Sequence, residues 1–208
     1  MFGYLKVNLK RKLCFDPQHL TINECSFDAH NWYEFYRDAK ETIPEDAPTP
    51  SGNVVSTYFF LDADHANNRA TRISQTGVLI FVNKAPILWY SKKQNTVKTS
   101  TISSDFIDLK TSTGLVEALW YKLRMFGIPI EGPSNMFYDN ASVYKNVLTP
   151  ELTLKNKTVS ICYHKCREAV ASGVTRIPKD EMATNLADMF TKMLVHIRRE
   201  NLLDRFTY

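Results

Sequence analysis

The sequence predicts an α/β (α+β) domain in which a five-stranded mixed sheet is flanked by helices. Three short runs of aromatic and aliphatic residues follow one another within residues 57–91, as in an antiparallel meander. A long helical pattern comes next, and shorter strand-like and helix-like segments then alternate towards the C-terminus. The predicted order of elements is therefore βββαβαβα.

The composition is that of a folded domain and excludes several classes of protein. The chain has 208 residues, of which 44% are hydrophobic, enough for one sizeable core and an attached segment. Its apolar runs are too short to span a membrane, and residues 1–6 contain no signal-peptide core. Four cysteines indicate a reducing, intracellular setting rather than a disulfide scaffold. The net charge of +4 permits nucleic-acid binding without requiring it.

Two parts of the chain are expected. Residues 1–50 contain too few apolar residues to fold alone and predict a tether, with a short helix at Trp32–Lys40 that docks on the larger part. The proline-rich stretch Pro44–Asn53 predicts a stiff linker. Residues 54–208 are then the folded domain.

The first three strands are predicted at Thr57–Asp64, Gly77–Val82 and Ile87–Ser91, and Asn83–Pro86 supplies the turn of a hairpin. The helix that follows is predicted at about Ser103–Phe126, with Ser103 or Ser104 as its cap and Gly127 as its stop. Its apolar stripe comprises Phe106, Leu109, Val116, Leu119, Leu123 and Phe126. The later elements are a strand at Asn135–Asp139, a short helix from Asn140, a basic helix at Lys157–Ala171 ended by Gly173, an edge strand at Val174–Pro178, and helices at Asn185–Leu194 and Arg198–Phe206.

Acidic residues end the first strand. Asp62 and Asp64 leave a strand on the same face, about 7 Å apart along the chain. No Lys or Arg lies between Tyr58 and Asn68, so a local salt bridge cannot neutralise them. A bound divalent cation would, because hard cations select oxygen ligands. The alternative is a strand that simply runs out into solvent at Asp62.

Three further acids join this pair if the sheet has the expected topology. With the fourth strand parallel to the first, Asp139 would lie beside Asp62, at the edge where open α/β sheets place their sites. Asp105 and Asp188 are predicted in the first turns of two helices. Each also has a structural explanation, because acids favour helix N-termini and an Asp-Asn pair is common in turns.

Six blocks between residues 62 and 192 carry a family resemblance. They are Asp62-Ala63-Asp64, Ser74-Gln75-Thr76-Gly77, Trp89-Tyr90-Ser91-Lys92-Lys93-Gln94, Tyr138-Asp139-Asn140, Tyr163-His164-x-x-Arg167-Glu168 and Leu186-Ala187-Asp188-Met189-Phe190-Thr191-Lys192. Their content and order resemble the ribonuclease H domain at the C-terminal end of a copia-type retrotransposon Pol polyprotein. Residues 1–50 resemble the connection from the reverse transcriptase to that domain.

The resemblance implies a ribonuclease H-like fold and cleavage of the RNA strand of RNA–DNA hybrids during reverse transcription. Carried over by position, the metal ligands are Asp62, Asp105, Asp139 and Asp188, with Asp64 as the second candidate for the first position. Two Mg²⁺ ions, or Mn²⁺ in their place, would activate water and stabilise the leaving oxygen from positions about 4 Å apart.

The resemblance also implies partners. These are the RNA–DNA hybrid and the reverse transcriptase domain of the same polyprotein, without a membrane, in a cytoplasmic retroelement particle or the nucleus. The residues expected to contact nucleic acid are Lys92, Lys93, Gln94, Lys98, Asn140, Lys157, Lys165 and Arg167. For any single basic residue, a solvated surface position is the alternative.

Two departures from the family pattern bear on activity. Asp105 stands where the family has Glu, and a misplacement of about 1 Å can cost roughly a hundredfold. Thr158 stands where the family has a histidine that helps protons or product leave. The alternative function is therefore a weakened or inactive module that binds hybrid or a polymerase subunit.

Other kinds of site find no support in the sequence. Cys162 and Cys166 are four residues apart on a predicted helix, but His164 lies on its opposite face and no second pair has the spacing of structural zinc. No Gly-x-Ser-x-Gly elbow indicates a hydrolase triad, and no glycine-rich loop indicates a nucleotide cofactor. His164 is expected to be structural.

Overall fold

The computed structural model describes residues 10–21, 32, 34–64, 73–94, 101–138, 147, 157–178 and 185–207. For residues 64, 101–105, 157 and 158 it describes the backbone alone. The strands and helices in this part of the chain are β1 (Thr57–Asp64), β2 (Gln75–Val82), β3 (Ala85–Lys93), α1 (Thr101–Met125), β4 (Ser134–Tyr138), α2 (Lys157–Ala171), β5 (Thr175–Arg176), α3 (Asp188–Thr191) and α4 (His196–Leu203).

The strands form one mixed sheet in the order β3-β2-β1-β4-β5. The first three strands pair antiparallel, whereas β4 pairs parallel with β1 and β5 pairs parallel with β4. The predicted meander with two parallel strands is confirmed, and β5 is an edge strand as expected. In this register Leu61 is opposite Tyr138, so β1 and β4 end at the same edge of the sheet.

The side chains of β1 alternate between two apolar layers. Phe59 and Leu61 belong to the cluster that contains the buried residues of α1 and α2. Tyr58 and Phe60 belong to a second cluster on the other face, where Leu186 and Leu202 cover the sheet. Because both faces are covered, β1 is a nearly continuous apolar strand, as its sequence indicates.

Helix α1 ends as its sequence indicates, but it already includes Thr101, so Ser103 and Ser104 are helical residues and the prediction that one of them caps the helix was wrong. Gly127 adopts φ 67° and the backbone N–H of Ile128 donates to the carbonyl of Leu123 over 2.9 Å, which is a glycine-terminated helix end. Most of the predicted stripe is buried or half-buried. Phe126 is the exception: it follows Met125, the last residue of the helix, and 77% of its surface is exposed.

Two predicted helices differ from the structure. The segment predicted as a helix from Asn185 to Leu194 forms only the four-residue α3, because Lys192 takes an extended backbone (φ −114°, ψ 143°). Residues 34–40 contain turns rather than a helix. The rings of Trp32, Phe35 and Tyr36 surround one guanidinium group, so tertiary contacts decide this conformation over local propensity.

The described part of residues 10–50 lies against the domain. The backbone N–H of Cys14 donates to the carbonyl of Phe206 over 2.9 Å. Farther along, Glu41 accepts two hydrogen bonds from Arg124 over 3.0 and 2.9 Å. The boundary near residue 53 stays a prediction. Among the described residues, no helix combines the length and the apolar character needed to cross a membrane.

Candidate functional site

Asp62 lies near the carboxyl end of β1 and is opposite Gly77 of β2. The glycine is needed for packing, because a Cβ atom there would lie 2.9 Å from Phe190 Cβ, 2.9 Å from Thr191 Cγ2 and 3.0 Å from the carbonyl oxygen of Ala187. Helix α3 can therefore lie directly on β2 only where a side chain is absent.

Three side chains from separate parts of the sequence hold α3 in this position. Asn185 donates from Nδ2 to the carbonyl of Leu61 over 2.6 Å and accepts from the backbone N–H of Ala187 over 3.0 Å. Gln75 donates to the carbonyl of Phe190 over 3.0 Å, and the hydroxyl of Ser91 donates to the same oxygen. The Ser-Gln-Thr-Gly and Trp-Tyr-Ser blocks thus fix the short helix that carries Asp188.

This arrangement brings Asp62 and Asp188 together. Each has 2% of its surface exposed. The ammonium group of Lys192 lies 3.3 Å from Asp62 Oδ1 and 2.7 Å from Asp188 Oδ1, so the two acids share one cation. The second oxygens have other partners: Thr191 donates to Asp62 Oδ2, and Arg198 donates to Asp188 Oδ2.

The cation that neutralises Asp62 comes from a residue far along the chain, Lys192, which lies only four residues after its other partner, Asp188. The sequence offers no basic residue near Asp62, and the two explanations considered for its charge were a bound divalent cation and a strand that runs out into solvent; its burial excludes the second. Lys192 adds a third explanation, because the fold brings it from the C-terminal part of the chain. A buried carboxylate needs a charged partner or a metal. Here the partner is a lysine that bridges both acids.

The donor set nevertheless fits a divalent ion. Asp62 and Asp188 present hard oxygen atoms to one shared cation position, which is the chemistry that Mg²⁺ requires. In the part of the chain that the structure describes, no cluster of three or more His, Cys, Asp or Glu side chains is placed to hold a metal. The remaining predicted acids are the candidates for further protein ligands.

The remaining predicted acids are Asp64, Asp105 and Asp139. Asp139 lies outside the described residues, directly after β4, whose last residue Tyr138 pairs with Leu61. Asp64 ends β1, and Asp105 lies in the second turn of α1 rather than in its first; for both, the structure describes the backbone only. Their roles as ligands stay predictions.

A third buried carboxylate, Asp108, was missed by the sequence analysis. It is 4% exposed and accepts hydrogen bonds from Thr76 Oγ1 over 2.6 Å and from Gln94 Nε2 over 2.8 Å. The available signal was its position between Phe106 and Leu109, which puts it on the buried side of α1. Gln94, one of the residues expected to contact nucleic acid, thus donates from Nε2 to a buried carboxylate, and its role in binding stays a prediction.

Two of the predicted basic contacts lie at the sheet edge that carries Asp62. Lys92 and Lys93 are exposed and end β3, which runs in the same direction as β1. Thr76 pairs with both Ala63 and Lys92, so Lys92 is two strands away from β1, roughly 10 Å. Lys98 and Asn140 lie outside the described residues, and Lys157 is described by its backbone alone.

Two other predicted contacts lie elsewhere. Lys165 bridges Glu117 and Glu168 over 2.8 and 3.4 Å, on a surface shared by α1 and α2. Arg167 is 1% exposed, and its guanidinium lies 4.7 Å from the ring centre of Trp32 and 5.0 Å from that of Tyr163. A side chain enclosed in this way cannot reach a phosphate on the surface, so the expectation for Arg167 was wrong.

The residues considered for other chemistry have structural surroundings. Cys162 and Cys166 are buried in the core, and burial raises the pKa of the Cys166 thiol to about 12. That thiol therefore stays protonated at neutral pH, whereas a metal ligand must be a thiolate. His164 shares a 2.8 Å hydrogen bond with the hydroxyl of Tyr36, as expected for a structural histidine.

Comparison with known proteins confirms the resemblance to a retrotransposon Pol polyprotein. No family model matches the chain. It is 27% identical over 150 residues to the retrovirus-related Pol polyprotein from transposon RE2 of Arabidopsis thaliana, and 27% identical over 154 residues to that from transposon RE1. It is 29% identical over 136 residues to the Pol polyprotein from transposon TNT 1-94 of Nicotiana tabacum. These matches cover 72%, 74% and 65% of the chain.

The chain spans about a tenth of the length of these relatives, 10% in each case. Among solved structures it is similar to the N-terminal ribonuclease H domain of a Mycobacterium tuberculosis protein, with 12% identity, a TM-score of 0.47, and 72% of this chain and 94% of that one covered. It is also similar to ribonuclease H1 of Halobacterium salinarum, with 12% identity, a TM-score of 0.45, and coverage of 67% and 95%.

Proposed function

Because the chain is similar to retrovirus-related Pol polyproteins, we propose that it is a ribonuclease H-type nuclease that cleaves the RNA strand of RNA–DNA hybrids during reverse transcription of a retrotransposon. One observation carries the proposal. Asp62 and Asp188, which are far apart in the sequence, are both buried and both directed at one cation position beside the end of β1. A pair of buried acids arranged in this way is suited to hold a metal rather than only to stabilise the fold.

The ligands that we propose for two divalent ions are Asp62, Asp105, Asp139 and Asp188, with Asp64 as the second candidate at the end of β1. When bound, the ions supply activation of the attacking water and stabilisation of the leaving oxygen. The chain's own task is to fix the carboxylates. Thr191 orients Asp62 through Oδ2, and Arg198 orients Asp188 in the same way.

The surface around the site supports a nucleic-acid substrate. Lys92 and Lys93 are exposed at the same sheet edge as Asp62, two strands away from it. From there their side chains can contact the phosphate backbone of a nucleic acid bound at the site. We propose that they position the hybrid, that Lys98, Asn140 and Lys157 extend this surface, and that 2′-hydroxyl contacts select the RNA strand. Arg167 is enclosed and is left out of this surface, whereas a contact from Lys165, whose side chain is 40% exposed between α1 and α2, stays a prediction.

The decisive experiment is cleavage of an end-labelled RNA–DNA hybrid with Mg²⁺ or Mn²⁺. We expect RNA-strand products that require the metal, and Asp139→Asn should abolish them without loss of hybrid binding, because a carboxamide cannot replace a charged ligand. A chain that binds the hybrid but produces no cut with either metal would refute the nuclease proposal.

Two observations favour the alternative of a weakened or inactive hybrid-binding module. Both oxygens of Asp188 are engaged by Lys192 and Arg198, and the ligand position at Asp105 is one methylene shorter than the family's Glu. Asp105→Glu separates the two functions. A large gain in cleavage indicates a weakened nuclease, whereas salt-sensitive hybrid binding without cleavage in either form indicates a binding module.

A further inference from the structure

The ammonium group of Lys192 lies between the two acids of the candidate site. It contacts Oδ1 of Asp62 at 3.3 Å and Oδ1 of Asp188 at 2.7 Å. The Oδ2 oxygens of the same acids face Thr191 and Arg198. Each carboxylate therefore has one oxygen that fixes its orientation and one that is directed at the shared cation.

We propose that Lys192 and a divalent ion compete for the Oδ1 oxygens of Asp62 and Asp188, so that Lys192 holds the acids together and sets the metal concentration at which the site fills. The proposal rests on the proposed function, because it takes these acids as metal ligands. Lys192 is then a positioning residue, because its ammonium group lies 3.3 Å from Asp62 Oδ1 and 2.7 Å from Asp188 Oδ1.

The two cations exclude each other by charge and by space. Mg²⁺ binds carboxylate oxygens at about 2.0–2.1 Å, and an ammonium group on the same oxygens would lie within a few ångströms of it. Two positive charges at that distance repel strongly in a site shielded from water. Metal binding therefore requires Lys192 to leave.

Lys192 is built to leave without disturbing the acids. Its side chain is 37% exposed, although the carboxylates are 2% and 3% exposed. Its backbone is extended, just beyond the last residue of α3, and its flexible stem can swing towards solvent. Thr191 and Arg198 keep their contacts with the Oδ2 oxygens, so the two acids keep their orientation.

A matched control exists in the same chain. Lys165 also bridges two carboxylates, those of Glu117 and Glu168, and its side chain is 40% exposed. Those acids are 42% and 51% exposed, on a surface that is not part of the candidate site. A change of Lys165 thus removes a similar ion pair without touching the proposed ligands.

The experiment is a Mg²⁺ titration of the full chain followed by melting temperature and by calorimetry. We expect Lys192→Gln to melt several degrees below the wild type without Mg²⁺ and to bind Mg²⁺ about tenfold more tightly, the factor that corresponds to one charge-assisted hydrogen bond. At saturating Mg²⁺ the two melting temperatures should converge, because the metal replaces the lysine. Lys165→Gln should bind Mg²⁺ as the wild type does.

The outcomes separate this inference from the proposed function. A wild type that cleaves hybrid and responds to Mg²⁺, with an unchanged or weaker Mg²⁺ affinity in Lys192→Gln, overturns the inference alone. A melting-temperature difference that persists at saturating Mg²⁺ identifies a purely structural ion pair and also overturns it. A wild type that neither binds metal nor cleaves hybrid contradicts both the inference and the proposed function.

A second variant covers the case in which Lys192→Gln does not fold. Lys192→Arg keeps the positive charge beside the same oxygens, and Mg²⁺ binding by this variant that is tighter than that of the wild type would contradict competition.

Discussion

Two lysines of this chain each bridge two carboxylates, and the two bridges differ in the burial of their acids. Lys192 joins Asp62 and Asp188, which are almost fully buried, whereas Lys165 joins Glu117 and Glu168, which are exposed. The lysines themselves are similarly exposed. The difference therefore lies in what each acid would lose if its lysine left.

An exposed carboxylate returns to water at little cost, so the Lys165 bridge contributes little to stability. A buried carboxylate without a partner is costly, so the site at Asp62 always needs a cation. The same geometry of two acids and one lysine is thus an ordinary surface contact in one place and a cation site in the other. The burial of the two acids makes the difference between these lysine bridges.

The largest effect should come from the acids themselves. We expect Asp62→Asn to reduce hybrid cleavage by at least about a hundredfold, since changes even to residues that support a metal ligand cost up to that much. Glu117→Gln, from the exposed bridge, should cleave at the wild-type rate. Initial rates under saturating Mg²⁺ compare the two, and equal losses in both variants would erase the distinction between the bridges.

The second-largest effect on cleavage should come from the close contact between Gly77 and α3. Gly77→Ala puts a Cβ atom 2.9 Å from Phe190 and Thr191, and overpacking of this kind costs about 1–3 kcal/mol. Because α3 carries Asp188, cleavage should fall more than stability alone explains. Chemical denaturation and cleavage rates measure both.

The glycine at position 114 provides the control. A Cβ atom there meets nothing within 4 Å and lies within α1, so Gly114→Ala should gain up to about 1 kcal/mol. A Gly77→Ala variant that behaves like Gly114→Ala would show that α3 does not depend on this close approach.

Asp108 tests whether burial alone makes a cation site. Its oxygens accept from the neutral donors Thr76 and Gln94, so Asp108→Ala should cost about 1–3 kcal/mol through unsatisfied donors. Asp108→Asn, which keeps an acceptor oxygen, should cost less. Neither variant should change the Mg²⁺-induced shift in melting temperature, and a lost shift would place Asp108 in the metal site.

The smallest effect should come from the exposed bridge and should depend on pH. Hydrogen bonding to Glu117 is the main cause that raises the pKa of Lys165 above its usual value. A raised lysine pKa contributes stability that is present below the unfolded value of 10.5 and is lost as pH rises through the folded value. Lys165→Gln should therefore lower stability by at most about 1 kcal/mol at pH 7. The difference should diminish in denaturation curves as the pH rises through the raised pKa of Lys165; a constant difference would contradict an ionic origin.

Much of the fold was predictable because its signals are local. The dense apolar run of β1, the hairpin of β2 and β3, and the stripe of α1 each follow from neighbouring residues, and all were predicted. The predictions failed where long-range contacts dominate. Residues 34–40 were predicted as a helix but form turns around Arg167, and the helix predicted from Asn185 shrank to the single turn of α3.

The residues of the candidate site were also predictable only in part. Asp62 and Asp188 were found from strand-end chemistry and family resemblance, and the structure brings them together. Lys192 and Arg198 were not identified as partners: the i,i+4 spacing of Asp188 and Lys192 was a local signal for one contact, but nothing near Asp62 shows which cation the fold brings to it. Nor could the sequence show that Arg167, one of the expected phosphate contacts, is enclosed by aromatic rings.

The sequence by itself determined which segments become strands and helices and which residue types could hold a metal, since periodicity and side-chain chemistry are properties of the chain. Only the tertiary structure decided that Gly77 lets α3 approach β2 and that one ammonium group joins Asp62 to Asp188. The physical reason is distance: electrostatic and packing energies depend on separations in space, which residues far apart in sequence acquire only when the sheet and its helices assemble.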